Sequence, residues 1–233
     1  MAGRTFAIGD IHGCADALTT LLDTVEPKPE DTVVTLGDYI DRGPDSRRVL
    51  DRLIALAGWC HLVPLLGNHE EALLRALRDK NALRQWFALG GTDTLRSYGW
   101  VSGGERRTLT DWIPMPHREF LASCQDSYET PTHLFVHAGY VPELVLAEQP
   151  ALALRWRVTD ADTAVPHQSG KVAVVGHTPQ QSGEILDLGF LVCIDTNCVR
   201  GGWLTAMDVC TRQVWQVDRN GKHRMKLGGN VCD

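Results

Sequence analysis

Long apolar runs are missing from this 233-residue chain. Nothing approaches the roughly 18 consecutive apolar residues of a membrane span, so no membrane partner is expected. A secretory leader is not expected either, because Met1-Ala2-Gly3-Arg4-Thr5 runs into an apolar stretch too short for a signal core. No C-x-x-C pair occurs. The seven cysteines are scattered, with Cys193 and Cys198 the nearest two, and this odd set suits free thiols in a reducing compartment better than a disulfide framework. The cytoplasm is therefore the expected address. An excess of positive charge is absent too: 23 Lys and Arg against 29 Asp and Glu leave a formal net charge of −6. That balance argues against nucleic acid held by overall charge. Internal repeats and low-complexity tracts are also lacking.

What is present is a regularity at the ends of short apolar runs. Thr5-Phe6-Ala7-Ile8 leads into Gly9-Asp10-Ile11-His12-Gly13, and Thr32–Leu36 leads into Gly37-Asp38-Tyr39-Ile40-Asp41-Arg42-Gly43. His61–Leu66 leads into Gly67-Asn68-His69-Glu70, Thr132–Val136 into His137-Ala138-Gly139, and Lys171–Val175 into Gly176-His177-Thr178-Pro179. The runs read as buried strands. Between the first three, leucines and other apolar residues recur at helical spacing over Asp16–Thr24, Asp45–Ala57 and Glu70–Leu83. Strand-helix alternation predicts βαβ units. Ligands in α/β sheets gather at the carboxyl ends of strands, so five such ends are expected to deliver their polar residues to one place.

Elsewhere the pattern changes. Phe190–Ile194, Trp203–Met207 and Gln213–Val217 read as three antiparallel strands, with Thr211-Arg212 as a hairpin turn, and the polar, Gly-rich residues after Arg219 are expected to fray. Residues 79–131 carry none of the motifs. Trp86, Phe87, Trp100 and Trp112 interleave there with glycine pairs and with Arg96, Arg106 and Arg107, which reads as an insertion shaping the substrate site within a single domain over 1–233. The tryptophans read as local core before they read as a substrate platform. His117, His167 and His223 have no motif context and are expected on the surface; Cys14 reads as a small packing residue.

The polar residues at the strand ends suit metal chemistry. Asp10 and His12, two apart in an extended segment, project to the same side and can share one ion. Asp38 supplies a carboxylate able to bridge two ions; Asn68, His137 and His177 add an amide oxygen and two imidazoles. This mixed N/O set suits borderline ions, Mn²⁺ first and Fe or Zn²⁺ as alternatives, rather than Ca²⁺. Two ions about 3.5–4 Å apart lower the pKa of a shared water and clamp an in-line displacement. Arg42 is a natural bidentate phosphate partner. His69, next to Asn68, is placed at the rim of the site, with Asp41 fixing its tautomer, as a general acid for the leaving group.

The segments GDIHG, GDYIDRG, GNHE, HAG and GHT, in this order, resemble the PPP-type metallophosphoesterases, which include protein Ser/Thr phosphatases and phage relatives; the resemblance runs from about residue 5 to 208. It implies a calcineurin-like α/β fold, two sheets packed as a sandwich with helices outside. By this likeness Asp10, His12 and Asp38 hold a first metal, and Asp38, Asn68, His137 and His177 a second. Arg42 binds phosphate, and His69 with Asp41 is the acid pair. A later phosphate-binding arginine is expected at Arg155 or Arg157, on one side of an extended Arg155-Trp156-Arg157. The implied reaction is direct attack of a hydroxide bridging two metal ions on phosphoserine or phosphothreonine in phosphorylated proteins or peptides, and on small phosphate monoesters. Two main rivals accompany this expectation, besides a metal-dependent nuclease that the acidic balance discourages. One is a symmetrical diadenosine tetraphosphate hydrolase, a class that shares the GDIHGC form seen at Gly9–Cys14. The other is a catalytically dead phosphoprotein-binding module, which predicts a missing ligand or acid.

Overall fold

The computed structural model describes residues 3–104 and 107–226. Its first sheet has six strands. β1 (Thr5–Ile8) pairs in parallel with β2 (Thr32–Thr35), and β2 with β3 (His61–Pro64). Two crossover helices join them, α1 (Ala15–Val25) and α2 (Ser46–Ala57), and α3 (Asn68–Arg78) follows β3. Residues 79–131 add four short helices, α4 (Leu83–Leu89), α5 (Gly91–Ser97), α6 (Leu109–Trp112) and α7 (Met115–Ser123), and then β4 (Ser127–Glu129).

The second sheet takes β4, antiparallel to β5 (His133–Val136). It continues with β6 (Val172–Val175), which follows α8 (Ala151–Trp156), and with a hairpin of β7 (Leu186–Asp187) and β8 (Leu191–Cys193). β5, β6 and β8 are mutually parallel. The chain then returns to the first sheet as β9 (Trp203–Asp208), antiparallel to β1, followed by β10 (Val214–Asp218) and β11 (His223–Lys226).

Burial explains why these strands read as continuous apolar runs rather than alternating ones. Phe6, Ile8 and Val33 pack with Leu18, Leu21, Leu50 and Leu53 of the helices, while Ala7, Val34 and Val63 face the other way. They meet Phe135, Val174 and Val192 of the second sheet. Leu134, Val136, Ala173 and Val175 form a further layer with Leu154 of α8. Both faces of each sheet are covered, so alternate residues are all apolar. The expected α/β sandwich flanked by helices is the observed fold. No helix among the described residues is long and apolar enough to cross a membrane.

Two expectations about the carboxyl-terminal part need correction. Phe190–Ile194 does not join an antiparallel set with the last two predicted strands; β8 lies in the second sheet, parallel to β6. Its residues are buried on both faces, Val192 between the sheets and Leu191 and Cys193 beyond, which requires an interior position. The segment just after Arg219 does not fray: His223–Lys226 pairs with β10 as β11. Residues 227–233, part of the same expectation, lie outside the described residues, as does Arg106.

The entry to β2 is pinned by charge. Asp31 accepts bonds from Arg4 Nε and Nη2 at 3.1 and 2.6 Å and from the backbone N–H groups of Arg4 and Lys28, both at 2.8 Å. Burial raises the Asp31 carboxyl, but these donors outweigh it and leave its pKa below the ordinary value. A depressed carboxylate contributes stability above its unfolded pKa and loses it as pH falls through the folded value. Asp31→Asn is therefore expected to cost about 1.5–3 kcal/mol near neutral pH and to flatten the acid limb of the stability curve below about pH 4, measured by urea unfolding across pH. An unaltered acid limb in the variant would show that Asp31 does not supply it.

Candidate active site

The carboxyl ends of β1, β2 and β3 meet those of β5 and β6 along one edge of the sandwich. At Gly37 and Gly176 the glycine is explained by how close the two sheets come there. A Cβ on Gly176 would stand 2.2 Å from Asp10 Oδ1; one on Gly37 would stand 2.8 Å from His137 Nδ1. Five of the expected site residues, His12, Asp38, Asp41, Arg42 and His177, hold positive φ between 44° and 70°, backbone strain of the kind that surrounding structure must enforce. His12 at φ 44 also shows that Asp10 and His12 do not share one side of an extended segment. The loop, rather than strand alternation, places them.

Asp38 is the meeting point. Its Oδ2 lies 3.4 Å from His12 Nε2 and 3.8 Å from His69 Nε2, while its Oδ1 lies 3.4 Å from His137 Nε2. The structure gathers two groups able to hold a cation, His12/Asp38/His69 and Asp38/His137/His177, with Asp38 common to both. Asn68 Oδ1 completes the second group, 3.1 Å from both His137 Nε2 and His177 Nδ1. Asp10 accepts the backbone N–H of His177 through both oxygens at 3.1–3.2 Å.

The protonation pattern fits divalent ions. His12 Nδ1 donates to Ile40 O at 3.0 Å and His137 Nδ1 to Leu36 O at 2.7 Å, which assigns the tautomers and leaves both Nε2 lone pairs facing the centre. Burial, with the neighbouring positive groups, lowers His12 to about 3 and His177 to about 4; burial also lowers His137. These imidazoles are thus neutral near pH 7, as ligation requires. Burial and the carboxylates of Asp195 and Asp38 push Asp10 well above the usual range. Converging lone pairs and crowded acids call for positive charge at this place.

His69 behaves differently. Burial lowers its pKa, but Asp38 and the Asp41 bond outweigh burial and raise it above its ordinary value. Its Nδ1 lies 2.8 Å from Asp41 Oδ2, and its Nε2 is buried with no hydrogen-bond partner. Placement at the rim is corrected: His69 is 0% exposed, because the first turn of α3 drives it inward beside Asn68. Asp41, itself raised by burial, is held by Trp86 Nε1 at 3.1 Å to both oxygens and by Thr94 Oγ1 at 2.6 Å. Residues 79–131 therefore reach the site from behind. Trp86 and Thr94 brace Asp41, Gly90 packs on the Arg42 backbone, and no described residue of the segment lines the cavity over the ligands.

Sequence reasoning did not foresee Trp86 and Thr94 in this place, since they lie 45 and 53 residues from Asp41. The role of Glu70 was not foreseen either. Its carboxylate accepts the N–H groups of Asp38, Tyr39 and Ile40 at 2.8, 2.8 and 3.3 Å and of Gly67 at 3.1 Å. It thereby fixes the loop that carries Asp38, and its place in GNHE was the available signal.

The arginines divide. Arg42 lines the cavity, and its Nη1 donates to His12 Nε2 at 2.9 Å. Arg155 and Arg157 do not line it. Arg155 is the penultimate residue of the helix α8, not part of an extended segment, and is tied to Glu71 at 2.8 Å and to Asp126. Arg157 donates to Tyr140 O at 2.8 Å. The second cation at the cavity is Arg200, the last residue of the 3₁₀ turn Cys198–Arg200. Two histidines expected on the surface are buried: His117, between the Tyr98 hydroxyl and Asp51 at 2.6 and 2.9 Å, and His167, on Leu144 O at 2.8 Å.

A family model described as calcineurin-like phosphoesterase matches residues 3–202. The chain belongs to the calcineurin-like phosphoesterases. It is a metal-dependent phosphoesterase by family, and the two gathered groups, which include His69 and not Asp10, are the candidates for its metal centre. Among curated relatives, 141 residues are 38% identical to a symmetrical bis(5'-nucleosyl)-tetraphosphatase of Paracidovorax citrulli, covering 59% of this chain and 44% of that one. In a separate comparison, 150 residues are 33% identical to a protein of the same name from Janthinobacterium, covering 64% of this chain and 48% of that one. The chain spans about half the length of the curated relatives it matches. Among solved structures, a candidate diadenosine tetraphosphatase superposes with a TM-score of 0.64 at 23% identity, over 99% of this chain and 96% of that one. A Ser/Thr phosphatase of Saccharomyces cerevisiae gives 0.63 at 15%, over 100% and 81%. At these identities the structures show the shared fold alone.

These findings correct the expectation of phosphoserine and phosphothreonine substrates and of phosphorylated proteins as partners. The curated likeness favours the tetraphosphatase alternative. The physical reason for the error is plain: the five motifs surround the reacting phosphorus and say nothing of what hangs from it.

Proposed function

We propose that this chain hydrolyses dinucleoside polyphosphates, cleaving a tetraphosphate symmetrically at its central phosphoanhydride. The observation that carries the phosphoryl-transfer part is Asp38, shared by two converging ligand groups with Arg42 beside them. The substrate class rests on the curated likeness. In this reading Asp10, His12 and Asp38 hold one divalent ion and Asp38, Asn68, His137 and His177 the other, a mixed N/O donor set compatible with Mn²⁺, Fe or Zn²⁺. When bound, the ions supply Lewis acidity and make water a nucleophile at neutral pH. Arg42 offers its guanidinium to the phosphate oxygens. His69 holds a proton at Nε2 for the departing phosphate oxygen, with Asp41 keeping Nδ1 protonated and the ring oriented. Residues 79–131 act through Trp86, Thr94 and Gly90 as the brace of Asp41 and Arg42.

The test is a comparison of kcat/KM for diadenosine tetraphosphate and a phosphoserine peptide in the Mn²⁺-loaded protein. The dinucleotide is expected to be preferred by about 10²-fold or more, the discrimination available when a site built for polar groups loses them. Equal rates, or a preference for the peptide, would overturn the substrate assignment.

A further inference from the structure

The cavity over the ligands measures about 150 Å³. That is below the roughly 300–1,000 Å³ of sites that enclose a small molecule, so it has room for the reacting phosphate but not for a nucleoside. A second cavity of about 350 Å³ adjoins it, and Arg42 and Val199 line both. Its wall includes Ala15, Gly43 and Pro44, and across from them stand Arg219 and Asn220.

Topology puts those last two residues there. β10 pairs antiparallel with β9, and Asp218 lies opposite Trp203, three residues beyond Arg200. The turn leaving β10 is therefore carried to the rim of the active site. Asp218 Oδ1 clamps that turn by accepting the N–H groups of Asn220 and Lys222 at 2.8 and 2.9 Å. The other charges of the cavity are already engaged: Arg48 pairs with Asp16 at 2.7 Å, and Asp45 accepts the Arg48 N–H at 3.0 Å as the cap of α2. Arg219 has no ion pair or side-chain hydrogen bond among the described residues. It is a guanidinium without an ion pair on a turn clamped by Asp218, facing a cavity that mixes charged groups with Ala15, Pro44 and Val199, next to the proposed phosphate site. It also lies beyond the residues 3–202 that the family model matches.

We infer that this second cavity binds a nucleoside-phosphate arm of the substrate, with Arg219 pairing the phosphate next to the reacting one. The inference rests on the dinucleoside polyphosphate reading, in which each arm carries one further phosphate and one nucleoside. Arg42, common to both cavities, marks where the chain of phosphates passes from one to the other.

The experiment uses the full chain loaded with Mn²⁺. Binding of ADP and of inorganic phosphate is measured by calorimetry for the parent, Arg219→Ala and Arg219→Lys, with kcat and KM for diadenosine tetraphosphate and p-nitrophenyl phosphate alongside. Arg219→Ala is expected to weaken ADP about tenfold and to raise KM for the dinucleotide about tenfold, lowering selectivity over p-nitrophenyl phosphate by a similar factor. Arg219→Lys recovers part of the loss, since it keeps the charge without the planar fork. Circular dichroism checks that the exposed turn still folds. Loss shared equally by ADP and inorganic phosphate, or no loss, overturns the assignment. Should the parent prefer monoesters while Arg219→Ala still loosens ADP, the substrate reading falls and the nucleotide cavity stands.

Discussion

Asp38→Asn is expected to lower turnover by about 10³-fold or more and to leave the protein with less than its full complement of metal. The expectation follows from position. Losing an outer partner of a metal ligand costs about 10–100-fold, whereas Asp38 stands in both ligand groups at once, within 3.4 Å of His12 on one side and of His137 on the other. Burial opposes its charge, but His69, His137, His12 and His177 surround it and hold its pKa far below the ordinary carboxylate range. It is therefore a negative charge at any working pH. The amide keeps the shape and removes the charge, so both groups that share Asp38 would hold a cation less strongly. Elemental analysis after dialysis, together with turnover at saturating Mn²⁺, checks both halves. Full metal content with undiminished turnover would remove Asp38 from the centre.

His69→Asn is expected to act according to the leaving group. A positioned acid is worth about 10²–10⁴ in rate where the departing oxygen is a poor leaving group. A departing phosphate, with a second pKa near 6, needs that proton far less than an alkoxide does. Turnover of glycerol phosphate should thus fall by about 10²–10⁴-fold, and that of diadenosine tetraphosphate by about tenfold or less. The raised pKa of His69, against the lowered values of the three other imidazoles, is the division of labour that such a role requires. An equal loss across leaving groups would mean that His69 orients ligands through Asp38 and transfers no proton.

The expectation of a phosphoprotein substrate failed for a reason that applies beyond this chain. The residues proposed to hold metals and a phosphate are short-range patterns: a strand, a glycine and one or two polar side chains. They are common to enzymes that differ only in what the phosphate is attached to. The arginines show the same limit. Arg155 and Arg157 were chosen by their distance along the chain from other motifs, yet Arg155 is drawn into a helix and paired with Glu71, while Arg200 and Arg219 reach the cavities from turns that no motif marks.

The amino-acid order alone determined the parallel strands and the polar residues at their ends, from which the proposed ligands are drawn. Each such segment is local: an apolar run buried on both faces needs no partner to be recognised, and a glycine before a metal-capable residue signals a strand end where backbone and ligand come close. Tertiary structure alone decided what surrounds the ligands. Trp86 and Thr94 on Asp41, Glu70 beneath the Asp38 loop and the Arg219 turn beside the second cavity are meetings of segments far apart in the chain, set by packing of two sheets and by hairpin register. Charge and shape outside the centre are made only when distant segments pack, so the substrate, unlike the chemistry, could not be read along the chain.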